Sequence, residues 1–282
     1  MLPAGDRFDW YEPTFDDADD GRIPAFLAIA LRARLGRGKG RNGYAECVTV
    51  ERDGEVLAHV YGRSARPGEV HAVVTSSACD EVVPLIREHK RFRNHRVSRA
   101  DVARDFVGDF AEWDARSVAF AEERGIKHLF FSDSDGGATR YLGAASSEVR
   151  HRLYKKSEQV WKMFPEKAAE FPPGVLRSEL EVRPGKRDVK ELAARLEPSE
   201  FYGLSDWASD YGRRFLDLDV ERLPTHFRRP SDHSRMLFWL GRQYGPAIQE
   251  RAADVGALAA VDELLVALGL PDLVSMSKRE GD

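Results

Sequence analysis

The sequence has few residues that would crosslink the chain or anchor it in a membrane. Cys47 and Cys79 are the two cysteines in 282 residues, too few for a disulfide framework or a zinc site. No apolar run approaches the ~18 residues that a membrane-crossing helix needs. Acidic residues stand early in the chain, at Asp6, Asp9 and Glu12, so the start does not resemble a signal peptide. We therefore expect a cytoplasmic protein in a reducing environment, with no membrane partner.

The chain also lacks an overall excess of positive charge. Its 43 Lys and Arg are outnumbered by 47 Asp and Glu, and the net charge of −4 argues against polyanion binding over the whole surface. Basic residues are nevertheless concentrated in residues 86–104, where Phe92 and His95 are interleaved, and in the glycine-rich residues 36–43. Such segments are typical of contacts with a DNA backbone, although a solvated helix end and a plain linker are the alternatives. The candidate DNA-binding residues are Arg91, Arg93, Arg96, Arg99, Arg37, Lys39 and Arg41.

Two motifs of nucleotide-binding and DNA-cleaving enzymes are missing. The glycine-rich segment is not a P-loop, because no Gly-Lys-Ser/Thr follows it. The pair of histidines around one apolar residue that HUH-type endonucleases use does not occur either. His71 is left as a single potential ligand, and a lone histidine on a strand is more often structural.

Short alternating segments, with a turn signal at Asp53-Gly54, predict consecutive antiparallel strands, and helical spacing predicts helices between the later strands. Residues 36–43 are expected to form a loop and residues 157–171 one helix. After residue 197 the strand patterns give way to helical ones. The predicted fold is α+β, with a mainly antiparallel sheet packed with helices on one face. A first domain of residues 1–197 precedes a C-terminal helical extension, residues 198–282, for DNA binding or oligomerisation.

Two tyrosines dominate the most informative segment, residues 140–156. Two strands folded on a turn centred between Ser147 and Glu148 would place Tyr141 opposite Tyr154. The cations Arg152 and Lys156 share the face of Tyr154, because side chains alternate along a strand. Nearby cations favour the ionised phenol and hence nucleophilic chemistry. The catalytic candidates are therefore Tyr154, Tyr141, Lys156 and Arg152, with ordinary packing of a sheet tyrosine as the alternative.

Paired carboxylates stand on two other predicted strands. Asp101 and Asp105 share one strand face, separated on it only by the small Ala103, and Glu179 and Glu181 share a face of another strand. Carboxylates gathered in this way could hold a hard divalent cation, and like charges so close need a cation or a raised pKa. The alternative is that the aspartates are solvated or paired with neighbouring arginines.

In these segments the chain resembles the replication initiation factor family, the trans-acting Rep proteins of rolling-circle plasmids and filamentous phages, with related relaxases of conjugative elements. Residues 97–105 are similar to the family's Arg-x-Asp-x-x-x-Asp strand. Residues 139–158 are similar to its Tyr-x-Gly…Ser…Arg-x-Tyr-Asp-Lys-x-x-Glu hairpin, and residues 176–183 to its Arg-x-Glu-x-x-x-Arg strand. The resemblance covers about residues 8–196. It departs from the pattern at Lys155, where the family usually has an acidic residue.

The resemblance implies an endonuclease and strand transferase that initiates rolling-circle replication. A tyrosine would attack a phosphodiester of origin DNA, in single-stranded or hairpin form, and keep the 5′-phosphate as a phosphotyrosyl ester. It also implies a divalent metal, Mg or Mn, held by acidic residues, a host helicase as partner and a possible homodimer. We favour Tyr154 over Tyr141 as the nucleophile, because cations flank Tyr154 on its own face.

Two other functions fit the same residues. A DNA-binding regulator or accessory protein of a mobile element could retain the fold without the chemistry, and Lys155 favours this alternative. A structural or assembly protein of a mobile element would bind no DNA at all.

Overall fold

The structure is a computed structural model that describes residues 5–16, 18, 21–223 and 232–267. These residues form ten strands, eight α-helices and two 3₁₀ segments. The strands are β1 (Arg7–Phe15), β2 (Arg34–Lys39), β3 (Tyr44–Arg52), β4 (Glu55–Ser64), β5 (Val70–Thr75), β6 (Arg96–Val107), β7 (His128–Ser132), β8 (Ala138–Leu142), β9 (Val149–Lys155) and β10 (Val175–Val182). The α-helices are α1 (Arg22–Ala30), α2 (Ala78–Glu88), α3 (Phe110–Glu123), α4 (Lys156–Met163), α5 (Arg187–Ala193), α6 (Asp206–Leu216), α7 (Asp232–Val255) and α8 (Ala257–Ala267). The two 3₁₀ segments cover Pro165–Glu170 and Pro198–Leu204. β2 to β5 and β7 to β9 follow one another without a helix between them.

All ten strands form one antiparallel sheet, in the order β2-β3-β4-β5-β1-β6-β10-β9-β8-β7. β6 is the longest strand at 12 residues and lies between β1 and β10. The three predicted motif strands, β6, β10 and β9, are therefore adjacent in space although the chain visits β7 and β8 between them. The α+β fold expected from the sequence is confirmed.

The hydrophobic core lies on one face of this sheet. Alternate strand residues such as Val74, Val102 and Leu180 are fully buried there, against helix residues such as Ile86 and Tyr211. Because side chains alternate, the residues between them point to the opposite face of the sheet. The catalytic and metal-ligand candidates on β6, β8, β9 and β10 alternate with this core and lie on that opposite face.

The glycine-rich segment forms a strand, where the sequence predicts a loop. β2 pairs with β3 at the edge of the sheet, with Gly38 opposite Cys47 and Gly36 opposite Thr49. A Cβ atom on Gly38 would lie 2.7 Å from the Cys47 sulfur. The glycines therefore make room for large cross-strand neighbours, a use of glycine that cannot be distinguished from a flexible loop by composition.

The helix predicted over residues 157–171 is interrupted. α4 ends at Met163, and Pro165 begins a 3₁₀ segment that runs to Glu170. Proline cannot donate the backbone hydrogen bond that a continuing helix requires, so the axis breaks there.

The chain divides into two compact units, Met1–Phe227 and Arg228–Asp282. The segment 198–216, assigned from sequence to the helical extension, packs into the core of the first unit through buried Phe201, Tyr202 and Tyr211. In the second unit α7 and α8 follow one another, and Arg251 pairs with Glu263 between them at 2.9 Å. Within the described residues, no helix combines the length and apolar character that a membrane crossing requires.

Candidate functional site

The strand register brings the candidate residues together on one side of the sheet. We call this the polar face, formed by the side of β6, β10, β9 and β8 opposite the core. Directly paired residues of neighbouring strands point to the same face. Three cross-strand rows result: Asp101–Glu181–Arg150, Ala103–Glu179–Arg152–Tyr141, and Asp105–Arg177–Tyr154–Thr139.

The register of the tyrosine hairpin differs from the prediction by two residues. Tyr141 pairs with Arg152, and Tyr154 pairs with Thr139. These pairs centre the turn between Ser146 and Ser147, one position earlier than predicted. β9 itself begins at Val149. Both tyrosines still lie on the polar face, as diagonal neighbours rather than opposite each other.

Tyr154 is nearly buried, with 6% of its surface exposed. Its hydroxyl donates a hydrogen bond to Glu179 at 3.0 Å, and the Arg152 guanidinium lies 5.5 Å from its ring centroid. Burial raises the pKa of Tyr154 well above its ordinary value, and the Glu179 carboxylate adds to this, while Arg177 and Arg152 oppose it. The expectation of an easily ionised Tyr154 is thus wrong for this structure, because desolvation and a carboxylate outweigh the flanking cations.

Tyr141 is half-buried and therefore more accessible than Tyr154. The Arg150 guanidinium carbon lies 3.8 Å from the centroid of the Tyr141 ring, a close cation–π contact. Phe131 contacts the same ring edge-on, with the centroids 5.8 Å apart. Arg152 is the cross-strand partner of Tyr141, and its guanidinium binds Glu179.

Asp101 and Glu181, two of the four acids, both pair with Arg99 of β6. Asp101 accepts two hydrogen bonds from Arg99, at 2.8 and 2.6 Å. Glu181 pairs with Arg99 at 3.1 Å and with Arg183 at 2.7 Å. Burial raises the pKa of Asp101 although Arg99 opposes this effect.

The other two acids are completely or nearly buried. Glu179 has no exposed surface and accepts a close hydrogen bond from Arg152. Burial raises the pKa of the Glu179 carboxyl, against the effect of Arg152. Asp105 accepts from Arg177 at 2.6 and 2.8 Å and from Arg7 at 2.5 Å. Burial opposes ionisation of Asp105, but Arg177 and Arg7 outweigh it and hold the pKa below its ordinary value.

These contacts do not fit a preformed divalent-metal site. Each of the four predicted ligands is already neutralised by at least one arginine. Among the residues that the structure describes, no group of three or more His, Cys, Asp or Glu side chains is arranged to hold a metal ion. The pairing with neighbouring arginines, considered from sequence only for the aspartates, extends to both glutamates.

Lys156 is the first residue of α4 and thus lies just beyond the strand that was expected to carry it. Its amino group is 5.8 Å from the Tyr154 ring centroid and donates to Gln159 at 2.9 Å. Burial, and then repulsion from Arg177, lower the pKa of Lys156 to about 8. A lysine with this pKa can exchange a proton near neutral pH.

The predicted DNA-binding residues are dispersed. Arg91 and Arg93 are exposed, whereas Arg96 is buried in ion pairs with Asp16 and Glu69, at 2.6 and 3.1 Å. Phe92 and His95, expected to contact DNA with them, lie in or beside the core, because the turn after α2 folds them inward.

The other predicted DNA-binding residues lie on three different parts of the sheet. Arg99 lies on the polar face, with its guanidinium 4.6 Å from the Trp10 ring centroid. Arg37 and Lys39 are exposed on β2, facing away from the side of Gly36 and Gly38. Arg41 lies in the next turn, over the Tyr61 ring at 4.9 Å.

Sequence reasoning missed two arginines that define the site. Arg177 stands between Asp105 and Tyr154 in one cross-strand row, and its pairing with Asp9 at 2.8 Å fixes it further. Arg177 stands two residues before Glu179, and this spacing on a predicted strand was the signal that both side chains share one face. Arg150 is on the same face as Arg152 by the same spacing, but its contact with Tyr141 depends on the hairpin register.

Comparisons with known proteins agree with this architecture at the level of the fold. The chain is similar to the solved structure of a rolling circle replication initiator protein from Geobacillus stearothermophilus, with a TM-score of 0.50 and 19% sequence identity over 71% of this chain and 83% of that one. At this identity the similarity concerns the fold alone. No family model matches the sequence. No curated protein matches it either.

Proposed function

We propose that this protein initiates rolling-circle replication by cleaving and rejoining one strand of origin DNA through a phosphotyrosyl ester. The observation that carries the proposal is the gathering of Tyr154, Tyr141, Arg152, Arg177 and Glu179 on one sheet face. The fold that the chain shares with a rolling circle replication initiator supports it. Its DNA substrate would be in the cytoplasm.

In the proposed reaction a tyrosine oxygen attacks the phosphorus of a phosphodiester. The new bond joins phosphorus to that oxygen, and the bond from phosphorus to the 3′ oxygen of the DNA breaks. For Tyr154 the phenol proton passes along the existing hydrogen bond to Glu179, whose raised pKa makes it a stronger base than an ordinary carboxylate. Arg152 and Arg177 would offset the negative charge of the transition state, and Lys156 would protonate the released 3′ oxygen.

The two tyrosines support different versions of the proposal. Tyr154 has the proton acceptor in place, but its small exposed surface requires local opening before DNA reaches its hydroxyl. Tyr141 is half-buried, packs against Arg150 and pairs across the strand with Arg152. We retain Tyr154 as the first candidate and Tyr141 as the second.

The divalent ion, Mg or Mn, remains part of the proposal although the arginine-paired acids do not fit it, and no step above uses it. A host helicase and a homodimer are likewise expectations that follow from the proposed function.

The decisive experiment looks for a covalent protein–DNA adduct. Labelled single-stranded and hairpin oligonucleotides from the replicon that carries the gene are incubated with the protein and Mn²⁺, and adducts are separated on denaturing gels. Mass spectrometry of the nucleotide-bearing peptide then identifies the tyrosine, with Tyr154→Phe and Tyr141→Phe as matched controls. A nucleotide-bearing peptide that contains neither tyrosine would refute the site assignment.

A non-catalytic DNA-binding regulator is the second candidate. It is favoured by the burial of the Tyr154 hydroxyl and by the arginine pairing of all four acids. It predicts tight, salt-dependent binding of the same oligonucleotides without an adduct under any metal condition.

A further inference from the structure

One arginine of the polar face differs from the others in its contacts. Arg99, Arg152 and Arg177 each pair with at least one carboxylate. Among the described residues, Arg150 has no carboxylate within ion-pair distance, although Glu181 is its direct cross-strand neighbour, and its guanidinium packs on the Tyr141 ring at 3.8 Å. The arginine nearest the accessible tyrosine is therefore the one whose charge no acid neutralises.

The same region contains donor groups that lack an acceptor. The Nε atoms of Arg150 and Arg152 are both shielded from solvent, and neither has a hydrogen-bond partner in the part of the chain that the structure describes. A buried guanidinium N–H without an acceptor is costly, so such groups in a folded protein call for an explanation. Packing on the Tyr141 ring explains the position of Arg150 but satisfies none of its N–H groups.

The geometry indicates what kind of group would satisfy them. Arg150 and Arg152 are alternate residues of β9, so their side chains leave the same face of the strand. Arg152 pairs across the strand with Tyr141, and Arg150 covers the ring of the same tyrosine. Two planar guanidinium groups on the sheet face that carries an accessible phenol match the oxygens of a phosphate group, which accepts several charge-assisted hydrogen bonds at once.

We propose that Arg150 and Arg152 form a phosphate-binding subsite beside Tyr141, which takes the 5′-terminal phosphate group of a single DNA strand. The choice of DNA as the source of the phosphate rests on the proposed function. Arg150 lies within residues 139–158 but is not one of the residues that match a named position of the family's hairpin pattern. A phosphate bound in this subsite would lie closer to Tyr141 than to Tyr154. This holds even if Tyr154 is the residue that forms the ester.

The test compares two octathymidylates, one with a 5′-phosphate and one with a 5′-hydroxyl, each labelled at the 3′ end. Binding to the full chain is measured by fluorescence anisotropy with EDTA present, so that no cleavage intervenes. We expect the wild-type protein to bind the phosphorylated strand about tenfold more tightly, since charge-assisted hydrogen bonds are roughly twice as strong as neutral ones. Arg150→Ala should reduce this preference to below about twofold, because the unpaired guanidinium is gone.

Two further variants separate the subsite from general charge effects. Arg150→Lys keeps the charge but loses the planar fork, so it should retain only part of the preference. Arg183→Ala removes the same charge from a residue paired with Glu181 and should leave the preference unchanged. Replacing Arg150 breaks no ion pair. Circular dichroism with thermal melting verifies that each variant is folded.

Absence of a phosphate preference in the wild-type protein, or an equal preference in Arg150→Ala, would overturn the subsite. The result is independent of the adduct experiment. A phosphate preference without an adduct would leave the subsite standing and the nicking proposal unsupported, and an adduct without the preference would do the reverse.

Discussion

The hydroxyl of Tyr154 lies 3.0 Å from a carboxylate oxygen of Glu179, and both side chains are almost completely removed from water. Glu179 also accepts a close hydrogen bond from Arg152, so an acid, a phenol and a guanidinium form one connected buried group. Such a group is stable only when every member keeps its partner. The same contacts that would pass a proton during catalysis therefore also hold β9 against β10.

Replacing Tyr154 with Phe should destabilise the protein even in the absence of DNA. The variant removes one of the donors to the buried Glu179 carboxylate, and we expect a loss of about 1–3 kcal/mol in the free energy of unfolding. Urea denaturation followed by circular dichroism measures it. Tyr141→Phe is the matched control, since the Tyr141 ring is held by Arg150 stacking, and its change should stay within about 0.5 kcal/mol. Equal stabilities of the two variants would contradict the role assigned to Tyr154.

A larger loss of stability is expected at the Asp105 ion pair. Asp105 and Arg177 are both buried, and removal of the carboxylate leaves Arg177 without its main partner. Asp105→Ala should lower the free energy of unfolding by about 3–5 kcal/mol, as for other broken buried pairs. Asp135→Ala provides the comparison, because Asp135 pairs with Lys162 at an exposed position, so its removal should leave the free energy of unfolding nearly unchanged. If both variants unfold at the same urea concentration, Asp105 is not structurally important.

Much of the fold could be predicted from the sequence because alternation and turn residues are local signals. The Asp53-Gly54 turn between β3 and β4 is an example, with Asp53 and Gly54 both at positive φ. β2 could not be recognised in the same way. Its glycines serve the packing of Cys47 and Thr49, which come from another strand and are invisible to a local pattern.

The site could be predicted only in part, for a related reason. Alternation correctly predicts which neighbours share a strand face with Tyr154 and which share one with Glu179. The pairing of β9 with β10 then puts both residues on the same side of the sheet. It does not give the register of the hairpin, so the contact between Arg150 and Tyr141 was missed. It does not give burial either, and burial reverses the expected direction of the Tyr154 pKa shift.

Acid should destabilise the fold through His95. The carbonyl of Phe92 can only accept, so His95 Nδ1 donates to it at 2.9 Å, and Nε2 accepts from the Tyr11 hydroxyl at 2.7 Å, which describes a neutral ring. Burial lowers the pKa of His95 from 6.5 to about 4. Between these values the unfolded chain binds a proton that the folded chain does not, so stability falls as pH decreases from about 6.5 to 4.

The measurement for His95 is the dependence of the free energy of unfolding on pH. Over that window the group contributes up to about 1.4 kcal/mol per pH unit, and His95→Gln should reduce the slope by roughly this amount even if it lowers the overall stability. A slope that His95→Gln does not alter would mean that His95 is charged in the folded protein.

Metal ions should affect catalysis and stability differently. Because arginines already neutralise Asp101, Asp105, Glu179 and Glu181, none of these four carboxylates is free to bind Mg²⁺ in the DNA-free protein. We therefore expect millimolar Mg²⁺ or Mn²⁺ to leave the melting temperature of the free protein unchanged within about 1 °C, since a ligand stabilises only the state that it binds.

Adduct formation should nevertheless stop when EDTA is added and resume with excess Mn²⁺, if the ion enters together with the DNA phosphate. In that case DNA phosphate would compete with the four acids for the arginines. The acids would then be free to hold the ion, so metal binding would depend on substrate binding. A metal-induced rise of several degrees in the free protein would show instead that the acids form a site without DNA. Adduct formation that persists in EDTA would remove the metal from the proposed reaction altogether and leave the arginines as the groups that offset the charge of the phosphate.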